Sequence, residues 1–238
     1  MLGSMRRSPS LLSCLLTCLL GLCLACAPQN LSRTVGRGNG ELSVGVGGPL
    51  LDDLGPTVPV PHLDVGGRVG ATDWLDVGAN ADLLAFAYSI WSVDFMANFQ
   101  LYRQPGGLAV ASSARLYTFG DLNDPPGFRG LPELGLHLGG PVPKVRWLQL
   151  YGGALGTFNF RPPPDRPPAF FTPFFGVEFL MPPAFSKPEH KPRQHGLALH
   201  WAWTNPWETR ASLVGYQPKY GSMSVFIGYR LRFGGLDR

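Results

Sequence analysis

Apolar and polar residues alternate along most of the chain between residues 41 and 233. Successive side chains of an extended strand point to opposite faces of a sheet, so a period of two predicts strands with one apolar and one polar face. The segment 223–233 is the clearest case, because its apolar positions alternate with residues such as Gly228 and Arg230. This pattern excludes a helical domain and predicts an all-β protein.

The number and spacing of the alternating stretches predict a closed barrel. Ten stretches cover residues 42–47, 63–71, 75–83, 91–101, 107–119, 133–138, 146–160, 171–179, 197–204 and 223–233. Mostly short connections (72–73, 104–107 and 141–145) alternate with mostly longer ones (48–59, 120–130, 161–168 and 205–220), as in outer-membrane barrels, with 84–90 and 182–195 as exceptions. We predict a single antiparallel up-and-down transmembrane β-barrel of ten strands over 41–233, with eight strands as the alternative and 234–238 as a tail.

Composition agrees with such a barrel. Charged residues make up 15% of the chain, against about 25% in soluble domains. The 31 glycines and 24 prolines disfavour helix interiors. Two of the 20 basic residues, Arg6 and Arg7, lie in the N-terminal leader described below. The rest of the chain has 18 basic and 16 acidic residues and is therefore nearly neutral. Because no basic stripe is present, the sequence does not predict nucleic-acid binding.

The first 40 residues differ from the rest. Residues 1–26 have the pattern of an export signal, with Arg6 and Arg7 before an apolar run that is too short for an ordinary spanning helix. All four cysteines of the chain lie in this leader. Residues 27–40 are polar and rich in glycine, which predicts a flexible tether between the leader and the barrel.

The end of the leader, Leu22-Cys23-Leu24-Ala25-Cys26, resembles a bacterial lipoprotein signal. The resemblance implies that Cys26 becomes diacylated. Because Ala27 rather than aspartate follows, it also implies delivery to the outer membrane. The alternative is ordinary signal-peptidase cleavage near Ala25 or Ala27, in which Cys26 has no role.

Two segments of the barrel resemble bacterial outer-membrane β-barrel proteins. Residues 68–79 (RVGATDWLDVGA) resemble a hairpin common in these proteins, and residues 227–233 (IGYRLRF) resemble their last strand. The resemblance implies a place in outer-membrane lipid and recognition of the last strand by the barrel-insertion machinery. It is architectural and implies no activity.

The sizes of the side chains indicate which face meets lipid. The polar face is rich in glycine, serine and alanine, which suit a crowded lumen, whereas the apolar face carries bulky groups such as Trp91, Phe95, Phe175 and Trp201. We therefore expect the apolar face to point outward. The alternative is a soluble, lipocalin-like lipid binder, in which the apolar face points inward.

Twelve polar-face residues are expected to line the lumen as a charge network. They are Asp64, Arg68, Asp76, Asp82, Asp94, Arg115, Glu133, His137, Glu178, His200, Arg230 and Arg232. Ionised groups removed from water need partners, so these residues predict a paired network that largely plugs a structural or interaction barrel. Charged rings also line selective pores, so a narrow ion or small-solute channel is the alternative.

The sequence predicts no catalytic set, no metal site and no cofactor. Lipid-modifying barrels resemble this one in architecture and use a serine–histidine pair that faces the membrane. Here His62, His137 and His200 fall on the polar face, and no histidine matches the phase of Ser112. A lipid-modifying enzyme is therefore the less favoured alternative. The spacing of five between His190, His195 and His200 fits no regular element, and the charged stretch within 182–195 is where a periplasmic partner could bind.

Overall fold

The computed structural model describes residues 29–51, 58–59, 62–87, 89–123, 128–162, 167–181, 193–207 and 221–234. The leader with Cys26 lies outside these ranges, as do 182–192 and 235–238. Eleven strands are present: β1 (Gly40–Leu51), β2 (Val58–Pro59), β3 (His62–Gly70), β4 (Leu75–Asp82), β5 (Ile90–Arg103), β6 (Ala109–Asp121), β7 (Arg129–Val142), β8 (Val145–Phe158), β9 (Ala169–Leu180), β10 (Arg193–Thr204) and β11 (Ser222–Phe233).

Ten of the strands form a closed antiparallel barrel. Each pairs with its neighbours in chain order, and β11 pairs with β1 from Gly40↔Phe233 to Pro49↔Ser224. We call the end at which β1 begins and β11 ends the terminal end, and the opposite end the loop end. The prediction of a ten-stranded, up-and-down barrel is confirmed, and every predicted strand overlaps one of these ten.

The structure adds three features to the prediction. The two-residue strand β2 pairs with the end of β1. A short helix, α1 (Leu83–Ala87), lies in the connection after β4. Residues 193–195, which the sequence placed in a connection, are the first residues of β10. No helix among the described residues is both long and apolar enough to cross a membrane.

The outer surface of the barrel is apolar. Alternate residues of the strands expose their side chains, as Leu42, Val44 and Val46 do on β1 and Leu134, Leu136 and Leu138 on β7. The residues between them, such as Glu41 and Ser43, are buried on the inner face. Apolar side chains therefore point outward. This is the reverse of the soluble, lipocalin-like arrangement.

The exposed charges in the described ranges are confined to the two ends of the barrel. All of them lie at strand ends or outside the strands: Arg37, Asp73, Asp121, Arg129, Lys144, Arg146, Arg161 and Arg193. Between the ends, the outer face that the structure describes is a band without an exposed charged side chain.

Four of the five stacked aromatic pairs described on the outer face lie at the edges of this band, and the fifth, Phe175–Trp201, lies between them. Trp74–Phe99 and Trp147–Phe179 stack at the terminal end, and Trp91–Phe128 and Phe171–Trp207 stack at the loop end. Phe171 and Phe179 lie eight residues apart on β9, which is about 27 Å along the strand, or about 21 Å along the axis at a tilt of about 40°. The lipid-facing band of a membrane barrel is of similar height, about 25 Å.

Candidate functional site: the barrel lumen

The lumen is the part of the barrel in which chemistry is concentrated. Eleven of the twelve predicted lumen residues are buried on the inner face, and the twelfth, Arg232, is partly exposed at the terminal end. They do not form one network. The described structure divides them into a cluster around Glu41, a cluster around Arg115, a histidine–aspartate pair near the loop end and an aromatic group with two histidines.

Glu41, near the start of β1, is the centre of the largest cluster. Its carboxylate accepts a bidentate pair from Arg68, with Nε–Oε1 3.1 Å and Nη2–Oε2 3.2 Å. Arg230 and Arg232 donate to the same carboxylate. Arg68 also reaches Asp76 at 3.2 Å, and Arg230 forms an ion pair with Glu178. Each buried charge of this cluster therefore has an opposite charge beside it, which offsets the cost of its removal from water.

Residues 29–35, which we call the lumenal segment, are buried against this cluster. The Asn30 side-chain amide donates to Glu178 at 3.0 Å, and its main-chain oxygen accepts from Arg68 and Arg230. The Arg33 main-chain oxygen accepts from Arg68 at 3.2 Å. The sequence predicted a flexible tether here. The structure differs because the polar residues of the segment match the polar lining of the lumen.

The lumenal segment also contacts residues of β5 and β7. Asn98 donates to the Leu31 oxygen at 3.0 Å, and Gln100 donates to the Ser32 oxygen at 3.0 Å. At Gly139 of β7 the approach is so close that a Cβ would lie 3.0 Å from the Cβ of Ser32. Any larger residue at 139 would displace the segment, so this glycine serves a close contact between main chain and segment.

The direction of the lumenal segment follows from its partners. At its far end, Val35 donates its main-chain N–H to Asp76, and Thr34 donates to the Asp73 oxygen in the β3–β4 turn at the terminal end. Gln29 lies deeper, where its amide donates to Asn80 at 2.6 Å. A turn with positive φ at Gly36 (81°) and Gly38 (72°) then reverses the chain into β1. Residues 29–35 thus run from the interior toward the terminal end.

Arg115 of β6 is the centre of a second cluster. Its guanidinium lies 3.6 Å from Asp94 and donates to the hydroxyl of Tyr117 at 2.8 Å. The Tyr117 hydroxyl approaches Glu133, whose other oxygen accepts from Thr157 at 3.0 Å. Arg115 also contacts Gln29 of the lumenal segment at 3.5 Å. Four predicted lumen residues lie in this region. Arg115, Asp94 and Glu133 are linked by these contacts, whereas Asp64 lies near the charges of Asp94 and Arg115 without a described hydrogen bond to either.

A histidine–aspartate pair lies toward the loop end. The Nδ1 of His62 is 2.6 Å from the Asp82 carboxylate. The other Asp82 oxygen accepts from the main-chain N–H groups of Leu84 and Ala85 and so caps the start of α1. This pair accounts for Asp82 as a structural residue that fixes the connection after β4.

His137 and His200, the two histidines among the predicted lumen residues, belong to an aromatic group around Phe174. The ring of His200 stacks on Phe174 at 5.3 Å and lies near Tyr151 and Phe226. Neither ring nitrogen of His200 has a hydrogen-bond partner among the described residues. No cluster of three or more histidine, cysteine or acidic residues able to hold a metal ion occurs in the described part of the chain.

A serine–histidine contact is present that the sequence did not predict. The hydroxyl of Ser113, not Ser112, lies 2.8 Å from His137 Nε2 across β6 and β7. The other ring nitrogen of His137 has no hydrogen-bond partner among the described residues. A hydrolytic triad needs an acid at that nitrogen to orient the ring. The contact therefore lacks the third group, and it faces the lumen rather than lipid.

Sequence reasoning missed Glu41 and the lumenal segment. The signal for Glu41 was available, because residue 41 has the parity of Ser43 and Gly45, which alternate with the apolar positions of the predicted stretch 42–47. The lumenal segment has no periodicity that distinguishes it from a tether. Only its polar partners on seven different strands place it inside.

The closed sheet, the apolar outer face and the polar inner face define the class of the molecule as a ten-stranded β-barrel. No protein-family model matches the chain, and no curated protein matches it. Several solved structures are similar.

The N-terminal β-barrel domain of Pseudomonas aeruginosa OprF is similar at 11% identity and a TM-score of 0.29, over 83% of this chain and 99% of that one. The translocator domain of the autotransporter NalP from Neisseria meningitidis is similar at 12% identity and 0.36, over 83% and 89%. A bacterial polysaccharide outer membrane secretin is similar at 10% and 0.37, over 83% and 98%. These identities and TM-scores are low, so the barrel is established by the strand pairing of this chain and not by the similarity.

Proposed function

We propose that the chain is an outer-membrane β-barrel of structural or interaction type whose lumen is closed by its own residues. The support for the membrane location is the charge-free apolar band between two sets of stacked aromatic pairs. In hydrocarbon, every main-chain donor and acceptor must be paired, and a closed sheet satisfies this requirement. The same band would be costly to expose to water.

The observation that carries the closed lumen is the burial of residues 29–35 among charged and amide side chains of the inner face. Its main-chain oxygens at Asn30, Leu31 and Ser32 all accept hydrogen bonds from barrel side chains. Such a segment occupies space that a solute would need. A narrow ion or small-solute channel is the alternative. It requires that residues 29–35 leave an open path beside them in the lumen or move out of it.

Two further parts of the proposal concern biogenesis. The outward aromatic and apolar residues of β11 would be recognised by the barrel-insertion machinery, as the resemblance of 227–233 implies. Cys26 would carry a diacyl anchor, and residues 182–195 would contact a periplasmic partner. The mass of the mature protein tests the anchor, because ordinary cleavage leaves no lipid on residue 26.

Single-channel recording in planar bilayers tests the closed lumen. We expect no conductance from the full mature protein and a steady conductance from a variant that lacks residues 29–35. A mature protein that conducts before any change would overturn the closed lumen and favour the narrow channel. A silent deletion variant would also count against it, provided that the variant retains its barrel circular dichroism spectrum.

A cysteine pair provides a test that does not depend on a deletion. In S32C/G139C the two Cβ atoms would start 3.0 Å apart, so residue 32 has to shift by less than about 1 Å to reach the distance of about 3.8 Å found in disulfides. We expect this pair to cross-link on mild oxidation and to remain silent in bilayers. The control S32C/L138C places the second thiol on the outer face and should not cross-link. All natural cysteines lie at or before residue 26, so the barrel has no competing thiol.

A further inference from the structure

A groove crosses the outer face of β7 to β9 at the terminal end, beside the β5–β6 turn. Its cavity volume is about 800 Å³. The floor lies at Gly140 and Gly152, two outward positions that lack a side chain. Gly152 stands between Leu138 of β7 and Phe175 of β9, and Gly140 stands opposite Leu150. Leu108, Leu138, Leu150 and Phe175 are exposed and form the apolar walls.

Two cations stand at the terminal end of this groove. Lys144, in the β7–β8 turn, and Arg146, at the start of β8, are both exposed and line the cavity. Among the described residues, no acidic side chain lines it. The exposed acid that the structure describes at this end, Asp73, lies in the β3–β4 turn on another part of the wall. The groove thus combines an apolar trough along the strands with a positive charge at the level of the membrane interface.

We propose that this groove binds an anionic glycerophospholipid, with an acyl chain in the trough and its phosphate against Lys144 and Arg146. The proposal rests on the outer-membrane location proposed above. An apolar trough alone would accept any acyl chain, and a basic pair alone would attract any anion. Their continuity selects a ligand that is apolar along its length and anionic at one end, as basic pockets on membrane proteins do.

A second groove of the barrel supplies an internal comparison. It crosses β11, β1, β3 and β4 at the terminal end, has a volume of about 570 Å³ and is lined by residues such as Leu42, Val69, Val77 and Phe233. Its charged lining residues, Glu41 and Arg68, are buried on the inner face. Arg193 lies over the ring of Phe233 at its edge, so we expect this groove, with one exposed cation and not two, to show a weaker headgroup preference.

Native mass spectrometry of the purified barrel measures the preference. The protein is exposed in detergent to equal amounts of phosphatidylglycerol and phosphatidylcholine of the same chain length, and the bound lipids are counted. We expect phosphatidylglycerol to be retained preferentially by the natural protein. In K144N/R146Q that preference should fall by about tenfold. Asparagine suits position 144 because Lys144 has a φ of 67°.

The control is R129Q/R161Q, which removes two exposed cations at the loop end and should leave the preference unchanged. Equal retention of both lipids by the natural protein would overturn the proposed site, and so would a preference that survives in K144N/R146Q. Failure of the membrane location is a separate result. It would appear as a protein that stays in solution without detergent, before any lipid is offered.

Discussion

At the scale of single residues, Glu41 pairs with more arginines than any described acid that the sequence singled out. Its carboxylate is shared by Arg68, Arg230 and Arg232, and two of these arginines also hold the main chain of Asn30. Loss of one partner from a buried ion cluster leaves other charges uncompensated, which costs more than the cluster itself contributes. Glu41 is therefore the residue on which the terminal half of the lumen depends.

We expect Glu41→Gln to lower the free energy of unfolding by about 3 kcal/mol, because three guanidinium groups would share a neutral amide inside the barrel. Urea unfolding in lipid vesicles, followed by tryptophan fluorescence, measures the change. Asp73→Asn makes the same kind of substitution at an exposed turn and should have little effect. Equal losses for the two variants would contradict the role given to Glu41.

At the scale of elements, each strand divides its residues between two environments. β7 is a simple example, with Glu133 and His137 inside and Leu134, Leu136 and Leu138 outside. A slip of one residue would exchange these faces and place a carboxylate on the apolar outer face. The pairing of β7 with β6 and β8 is therefore held by the cost of the wrong register as well as by its hydrogen bonds.

Leu136→Arg tests whether the outer face of β7 meets lipid. A charge near the middle of the apolar band should cost about 2–4 kcal/mol, whereas the same change at the edge costs about 0–1 kcal/mol. Leu122→Arg is the matched edge variant, because Leu122 is similarly exposed just beyond the loop end of β6. Unfolding in vesicles compares the two, and similar costs would argue that water, not lipid, surrounds the band.

At the scale of the whole molecule, the pairing of β1 with β11 removes the two edges that an open sheet would expose. Val46 and Ile227 are opposite each other across this seam, and both are exposed. Because the seam joins residues far apart in the chain, it forms only when all ten strands are in register. Closure is thus the feature that most directly reports the complete fold.

We expect V46C/I227C to form a disulfide in the folded barrel, since paired residues have Cα atoms about 4.5–5.5 Å apart, within the range that disulfides bridge. The diagonal pair V44C/I227C, at about 7–8 Å, should not. Mobility in a denaturing gel without reductant distinguishes the two. A cross-link in both pairs, or in neither, would show that the seam has another register.

Local pattern predicted most of the fold. Alternation located all ten barrel strands, since the outer and inner faces of a thin-walled barrel impose opposite chemistry at every second residue. It also placed Asp64, Arg115 and Glu178 inside. It did not predict α1, because a single helical turn capped by Asp82 has too few residues to show a period.

What the sequence by itself determined is therefore which side chains face inward, because that follows from parity along each strand. Which of them meet was decided only by the tertiary structure, since Glu41 comes from the first barrel strand and Arg230 from the last, and only closure of the barrel makes these strands adjacent. The place of residues 29–35 was decided there as well. The polar groups of this glycine-flanked segment can be hydrogen-bonded equally well by water or by a polar lumen. Only the matching donors on several strands of this lumen fix the segment in one position.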